Sequence, residues 1–187
     1  MDSDIINDTV NNSIDNNIVL AKINEYFADP ARSGQVVPDK NGAVVTLVTP
    51  KEADVHSDAY FAVHRDNLLP VARFLRDDDD LWFNFLKLIT AVERKDVFSS
   101  VYHLYSYKHS FGITLRTDMP KDNPTVDSVC GLWDSANWME RECYDMLGIR
   151  YRGHPELRRI LLPLDWEGYP LRKDYVAPTT YGGIDNA

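Results

Sequence analysis

The sequence predicts an α+β domain, with a mixed, mainly antiparallel sheet, packed helices and an extended, charged C-terminal segment. Three observations predict it. β-branched, alternating runs stand at 43–49 and 111–117, apolar residues recur at helical spacing at 18–27, 66–75 and 136–147, and 151–187 is dense in charge without either period. The expected division is a disordered leader at 1–17, a globular domain at 18–150 and an interaction tail at 151–187.

The leader is rich in Asn, Asp and Ser, with Asp2, Asp4, Asp8 and Asp15 and no Lys or Arg. Leu20, Ile23 and Phe27 space an amphipathic helix over 18–27, ended at Asp29-Pro30. Ala43 to Thr49 is a strand and Tyr60 to His64 a weaker one. Asp66 is placed to cap a helix whose inner face is Leu68, Val71, Ala72 and Leu75. Asp77 to Asp80 read as a solvated turn rather than a cation site. Asp79 or Asp80 is then placed to cap a second helix, with Trp82, Phe85, Leu86 and Ile89 on one face. Val97 to Tyr107 and Phe111 to Thr117 form a hairpin about Lys108-His109-Ser110. A last helix runs over 136–147, capped by Asp134 or Ser135 and closed by Gly148, with Met139, Cys143 and Met146 on its inner face.

Composition excludes several functions. At 187 residues with 44% hydrophobic content the chain can bury a core, and its longest apolar run, Leu81 to Ile89, is too short to span a bilayer. A net charge of -9 argues against nucleic acid as a partner. Cys130 and Cys143 supply neither a disulfide framework nor the four thiolates of an iron–sulfur cluster. The acidic start lacks a signal or transit pattern, which points to a protein kept in the cytosol.

The chemistry-bearing residues crowd the C-terminal third. Between 140 and 175 stand seven basic and seven acidic side chains, interleaved with Tyr144, Tyr151, Trp166, Tyr169 and Tyr175, a composition typical of a protein–protein surface. Arg141 and Asp145, four apart, are expected to form an exposed pair contributing about 0.3–0.5 kcal/mol. Glu140 and Glu142 point about 200° apart on a helix and cannot share a substrate bond. His154 has no second ligand at i+3 or i+4, and no phosphate-binding glycine loop is present.

The run Glu140-Arg141-Glu142-Cys143-Tyr144-Asp145-Met146-Leu147-Gly148-Ile149, followed by Gly153-His154-Pro155-Glu156-Leu157-Arg158-Arg159-Ile160-Leu161, resembles the signature of the thirty-kilodalton (30 kDa) subunit family of complex I. Glu167-Gly168-Tyr169-Pro170-Leu171-Arg172-Lys173-Asp174-Tyr175 is similar to that family's closing motif, and Pro124-Thr125-Val126, Leu132-Trp133 and Asn137-Trp138 match it between. Tyr169 stands where His is expected, and Glu156 where Asp is common.

The resemblance implies a mixed-sheet fold and no redox cofactor bound by this chain, with FMN and Fe-S clusters carried by partner subunits. It implies a place in the hydrophilic arm of an NADH:quinone oxidoreductase, beside the large quinone-site (49 kDa) subunit, at the cytoplasmic face of the bacterial inner membrane. The chain would be non-catalytic and hold its neighbours in register. The contact surface expected is Glu140, Arg141, Glu142, Asp145, His154, Arg158, Arg159, Arg172, Lys173 and Asp174, with Arg158, Arg159, Arg172 and Lys173 pairing with partner carboxylates. An equivalent subunit of an energy-converting [NiFe] hydrogenase or formate hydrogenlyase is the alternative. A free-standing soluble hydrolase is the third reading.

Overall fold

The β-branched runs assemble into one five-stranded sheet in a computed structural model that describes residues 14–39, 41–49 and 58–185. In chain order the elements are α1 (Asn16–Ala28), α2 (Pro30–Ser33), β1 (Val45–Val48), β2 (Tyr60–Val63), a 3-10 turn (Arg65–Asn67), α3 (Leu68–Asp77), β3 (Phe85–Glu93), β4 (Val97–Ser106) and β5 (Phe111–Pro120). There follow β6 (Thr125–Asp127), α4 (Ala136–Leu147), β7 (Arg150–Arg152), β8 (Thr180–Tyr181) and β9 (Ile184–Asp185).

The main sheet has the order β1-β2-β5-β4-β3, antiparallel throughout except for the parallel pairing of β2 with β5. Alternation puts Phe61, Val63, Leu104, Ile113 and Leu115 on its inner face, where Val19, Ile23 and Phe27 of α1 and Leu68, Val71, Ala72 and Leu75 of α3 close the core. Strand β3 is an edge of this sheet, and α4 lies against it. The Ile89 N–H meets the Met139 sulfur at 3.1 Å and Ser135 Oγ donates to the Leu86 carbonyl, which covers part of the edge. A parallel β6–β7 pair ties the chain after β5 to the chain after α4.

Most predicted elements are found, with ends shifted by no more than three residues and the helix over 136–147 matched at both ends. Of the leader, residues 1–13 lie outside the described residues. Asn16 and Asn17 already belong to α1, because the Asp15 side chain accepts their turn's N–H groups from Asn17 and Ile18.

Four local expectations are corrected. Residues 85–93 are a strand, not a helix. Leu86 and Ile89 are both buried although three apart, because a bulge at Lys87 inserts an extra residue and brings them to one face. That bulge imitates a helical period, while Trp82, in the left-handed region at φ 44, and Phe85 are exposed. Asp66 does not cap α3. Asn67 holds that place without a side-chain cap bond, and Asp66 pairs with Arg152.

Within the acidic run it is Asp78 whose carboxylate accepts from Asp80 and Leu81 N–H groups. Asp80 pairs with Lys22, whose ammonium hydrogen bond holds the carboxyl below its usual range. Ser135, finally, occupies the N-cap of α4 but makes no cap bond, its hydroxyl being turned to Leu86.

Candidate functional site: a tail stapled by buried charge

Helix α4 carries its charges inward. Glu140, Arg141 and Asp145 are buried, whereas Glu142 is exposed on the far side, as the 200° separation requires. Each buried charge has hydrogen-bond partners, since an unpaired one would be strongly destabilising.

Glu140 fixes the loop before α4. Its carboxylate accepts from Ser128 Oγ (2.6 Å), the Val129 N–H (2.8 Å) and Cys130 Sγ (3.3 Å). Burial pushes its pKa up to about 7, against the opposing pull of the Ser128 and Val129 donors. Burial also pushes Cys130 up to about 12 and Cys143 up to about 11, so both thiols stay protonated at neutral pH and are poor nucleophiles. Cys143 is thus the small buried residue the helix face predicted.

Asp145 fixes the tail. The expected pair with Arg141 does not form. Instead the carboxylate receives Arg159 Nη1 at 2.7 Å and the N–H groups of Ile160 (3.0 Å), Leu161 (2.8 Å) and Leu162 (3.0 Å). Burial works to raise its pKa, but these four donors overcome it and hold the carboxyl below its usual value. Arg141 turns the other way, donating to the backbone carbonyls of Arg158 (3.1 Å) and Arg159 (3.5 Å) and standing 5.0 Å from the Trp138 ring.

A second staple follows. Arg172 Nε donates to the Leu147 carbonyl at 2.7 Å, which satisfies an open group at the C-terminus of α4, and its guanidinium stacks on Tyr169 and Phe98. The Leu171 N–H reaches the Met146 carbonyl, and the Lys173 N–H reaches Glu93. Gly148, at φ 74, permits this approach. A Cβ there would stand 2.5 Å from Arg172 Nη2 and 2.6 Å from the Tyr169 ring.

The remaining expected contact residues divide. His154 Nδ1 accepts the Glu156 N–H, so its Nε2–H donates to the Asn137 carbonyl. The fold also brings Cys130 and Glu140 within 4.8 Å of His154, a convergence that spacing along the chain could not reveal. Both imidazole nitrogens are nevertheless engaged with backbone. The Arg158 guanidinium pairs with exposed Glu156, and Lys173 and Asp174 are exposed. Arg159 and Arg172 face the chain's own body.

With Arg159 and Arg172 directed inward, the tail exposes apolar side chains beside its remaining charges. Leu161, Leu164, Leu171 and Val176 are 61%, 76%, 62% and 86% exposed, and Trp138 on α4 is 65% exposed. Exposed apolar side chains on an ordered segment are a feature of protein–protein contact surfaces.

Comparison with known proteins gives the family. Residues 61–181 match the model of the respiratory-chain NADH dehydrogenase 30 Kd subunit, and the chain belongs to that family. It is 47% identical over 125 residues to the C subunit of the NADH-quinone oxidoreductase of Roseiflexus sp. (strain RS-1), covering 65% of this chain and 72% of that one. Against the corresponding C subunit of Geotalea uraniireducens (strain Rf4) it is 33% identical over 164 residues, covering 86% and 88%. The fold is also that of a chain in the membrane-bound sulfane sulfur reductase, an archaeal respiratory membrane complex, with a TM-score of 0.62 at 21% identity over 84% of both chains. Family membership makes this chain a subunit of a complex I-like NADH:quinone oxidoreductase, associated with other subunits of that complex. Among the described residues no helix is long and apolar enough to cross a membrane.

Proposed function

We propose that the chain is a non-catalytic scaffold of the peripheral arm, binding the large quinone-site subunit at the cytoplasmic face of the membrane. FMN and Fe-S clusters in other subunits carry electrons from NADH to quinone, and this chain fixes the spacing between its neighbours. Tunnelling and the quinone cavity both depend on that geometry.

One observation carries the reading. The tail is docked to its own body by Asp145, Arg159 and Arg172, yet leaves Leu161, Leu164, Leu171 and Val176 in water. A segment ordered at the cost of conformational entropy, with leucines facing out, is a surface made to be covered. The unreactive thiols are consistent with a scaffold. Sequence likeness to NADH-quinone oxidoreductase subunits favours this complex over a hydrogenase.

The test is affinity purification from the native cell with Leu164→Asp/Leu171→Asp. Both side chains are exposed, so the isolated variant should melt as the wild type does. The expected result is loss of the large subunit from the purified material. Normal stoichiometry would refute the proposal.

A further inference from the structure

The tail and the β3–β4 hairpin enclose a recess of about 510 Å³ whose charge runs against that of the whole molecule. The chain carries -9, yet the recess gathers five cations against two carboxylates. Arg94 and Lys95 project from the hairpin turn on one side. Arg172 and Lys173 stand on the tail side, and Lys121 follows the end of β5.

The two carboxylates do not neutralise this set. Glu93, its side chain only 7% exposed, is already committed to the Lys121 ammonium and the Lys173 N–H, which hold its pKa below the usual range. Asp174 forms no ion pair among the described residues, and neither do Arg94, Lys95 and the Lys173 ammonium. Phe98 lines the recess, with the Arg172 guanidinium 5.0 Å and the Lys121 ammonium 5.9 Å from its ring centroid. The site therefore combines cations prepositioned about the Phe98 ring with three exposed cations that form no ion pair among the described residues.

We infer that this recess is a docking site for a carboxylate-rich peptide segment of a partner protein. It rests on the reading of the tail as an interface and deepens it, by naming the partner's chemistry and adding the hairpin to the contact. Concavity selects the occupant. Cations on two sides of a recess suit a protruding chain, whereas a bilayer surface meets convex patches. The volume exceeds that of a single phosphate, and guanidinium groups such as Arg94 match carboxylates with paired N–H donors. Contacts of this kind set on-rate and register and weaken with salt.

The test uses the full chain and a fluorescein-labelled decapeptide of alternating Glu and Gly, followed by anisotropy at low and at physiological salt. The wild type should bind, more weakly as salt rises. Arg94→Glu/Lys95→Glu should weaken binding at least roughly tenfold, and Arg94→Gln/Lys95→Gln by a smaller factor, with unchanged melting curves.

Inorganic phosphate, and vesicles of phosphatidylcholine with phosphatidylglycerol, form the comparison arms. Equal binding by wild type and double variant, no binding at all, or vesicle binding without peptide binding would each overturn the inference. Because the assay needs no partner protein, its failure is separate from that of the scaffold reading, which co-purification decides.

Discussion

The sheet body and the tail are held by opposite means. In the body, apolar side chains from β2, β4 and β5 meet α1 and α3, and burial of Phe61, Leu104, Leu115 and Val71 stabilises the contact at roughly 25 cal/mol per Å². In the tail, the Asp145 carboxylate and the Arg141, Arg159 and Arg172 guanidiniums bind backbone groups, while leucines face water. A partner surface needs its apolar residues outside, so attachment to the body has to come from something else. Buried charge bound to backbone does it.

Removing one member of each set separates the two mechanisms, and the largest effect is expected at the tail. Asp145→Ala leaves Arg159 nearly buried without its partner and three N–H groups without an acceptor, a loss of about 3–5 kcal/mol. Urea titration measures it, and limited proteolysis should cut within 153–175. Leu115→Ala, fully buried in the sheet, should cost about 2–5 kcal/mol through its cavity, with no change across pH.

The Asp145 contribution behaves differently. Its folded pKa lies below the unfolded value, so the stabilisation is present above about pH 4 and is lost as pH falls through the folded pKa. The gap between wild type and Asp145→Asn should therefore narrow in acid.

Glu140 has the reverse sign. Its folded pKa of about 7 lies above the unfolded value, so between about pH 4.5 and 7 the unfolded chain holds fewer protons and stability falls as pH rises. Glu140→Gln should abolish that slope, worth on the order of 3 kcal/mol across the interval, as read from melts at several pH values. Gly148→Ala should cost about 1–2 kcal/mol from the left-handed backbone, besides pushing Arg172 off the Leu147 carbonyl. Smallest is Arg158→Glu. Its one ion pair is exposed, with Glu156, so stability should change by less than about 0.5 kcal/mol in a urea titration.

The same contrast explains what the sequence made legible. Alternation at 111–117 and helical spacing at 68–75 report which face is apolar, and the body follows from them. The one element misread there, β3, fails because the bulge at Lys87 imitates a helical step. In the tail the decisive contacts run from a side chain to distant backbone, as from Asp145 to residues 160–162, and no period marks them. The i,i+4 rule pointed Asp145 at Arg141 because it sees one helix and not the strand of chain laid across it. The family motif marked the right residues without saying which face inward. The recess by Arg94 and Lys95 gave only a short basic pair in a turn, and its charge becomes visible when the fold brings the tail beside it.

Amide hydrogen exchange on the isolated full chain reads whether the tail is folded onto the body before any partner arrives. The N–H groups of Ile160, Leu161 and Leu162 should be protected in the wild type and lose that protection in Asp145→Ala. Exchange at unfolded-chain rates in the wild type would contradict a prefolded tail.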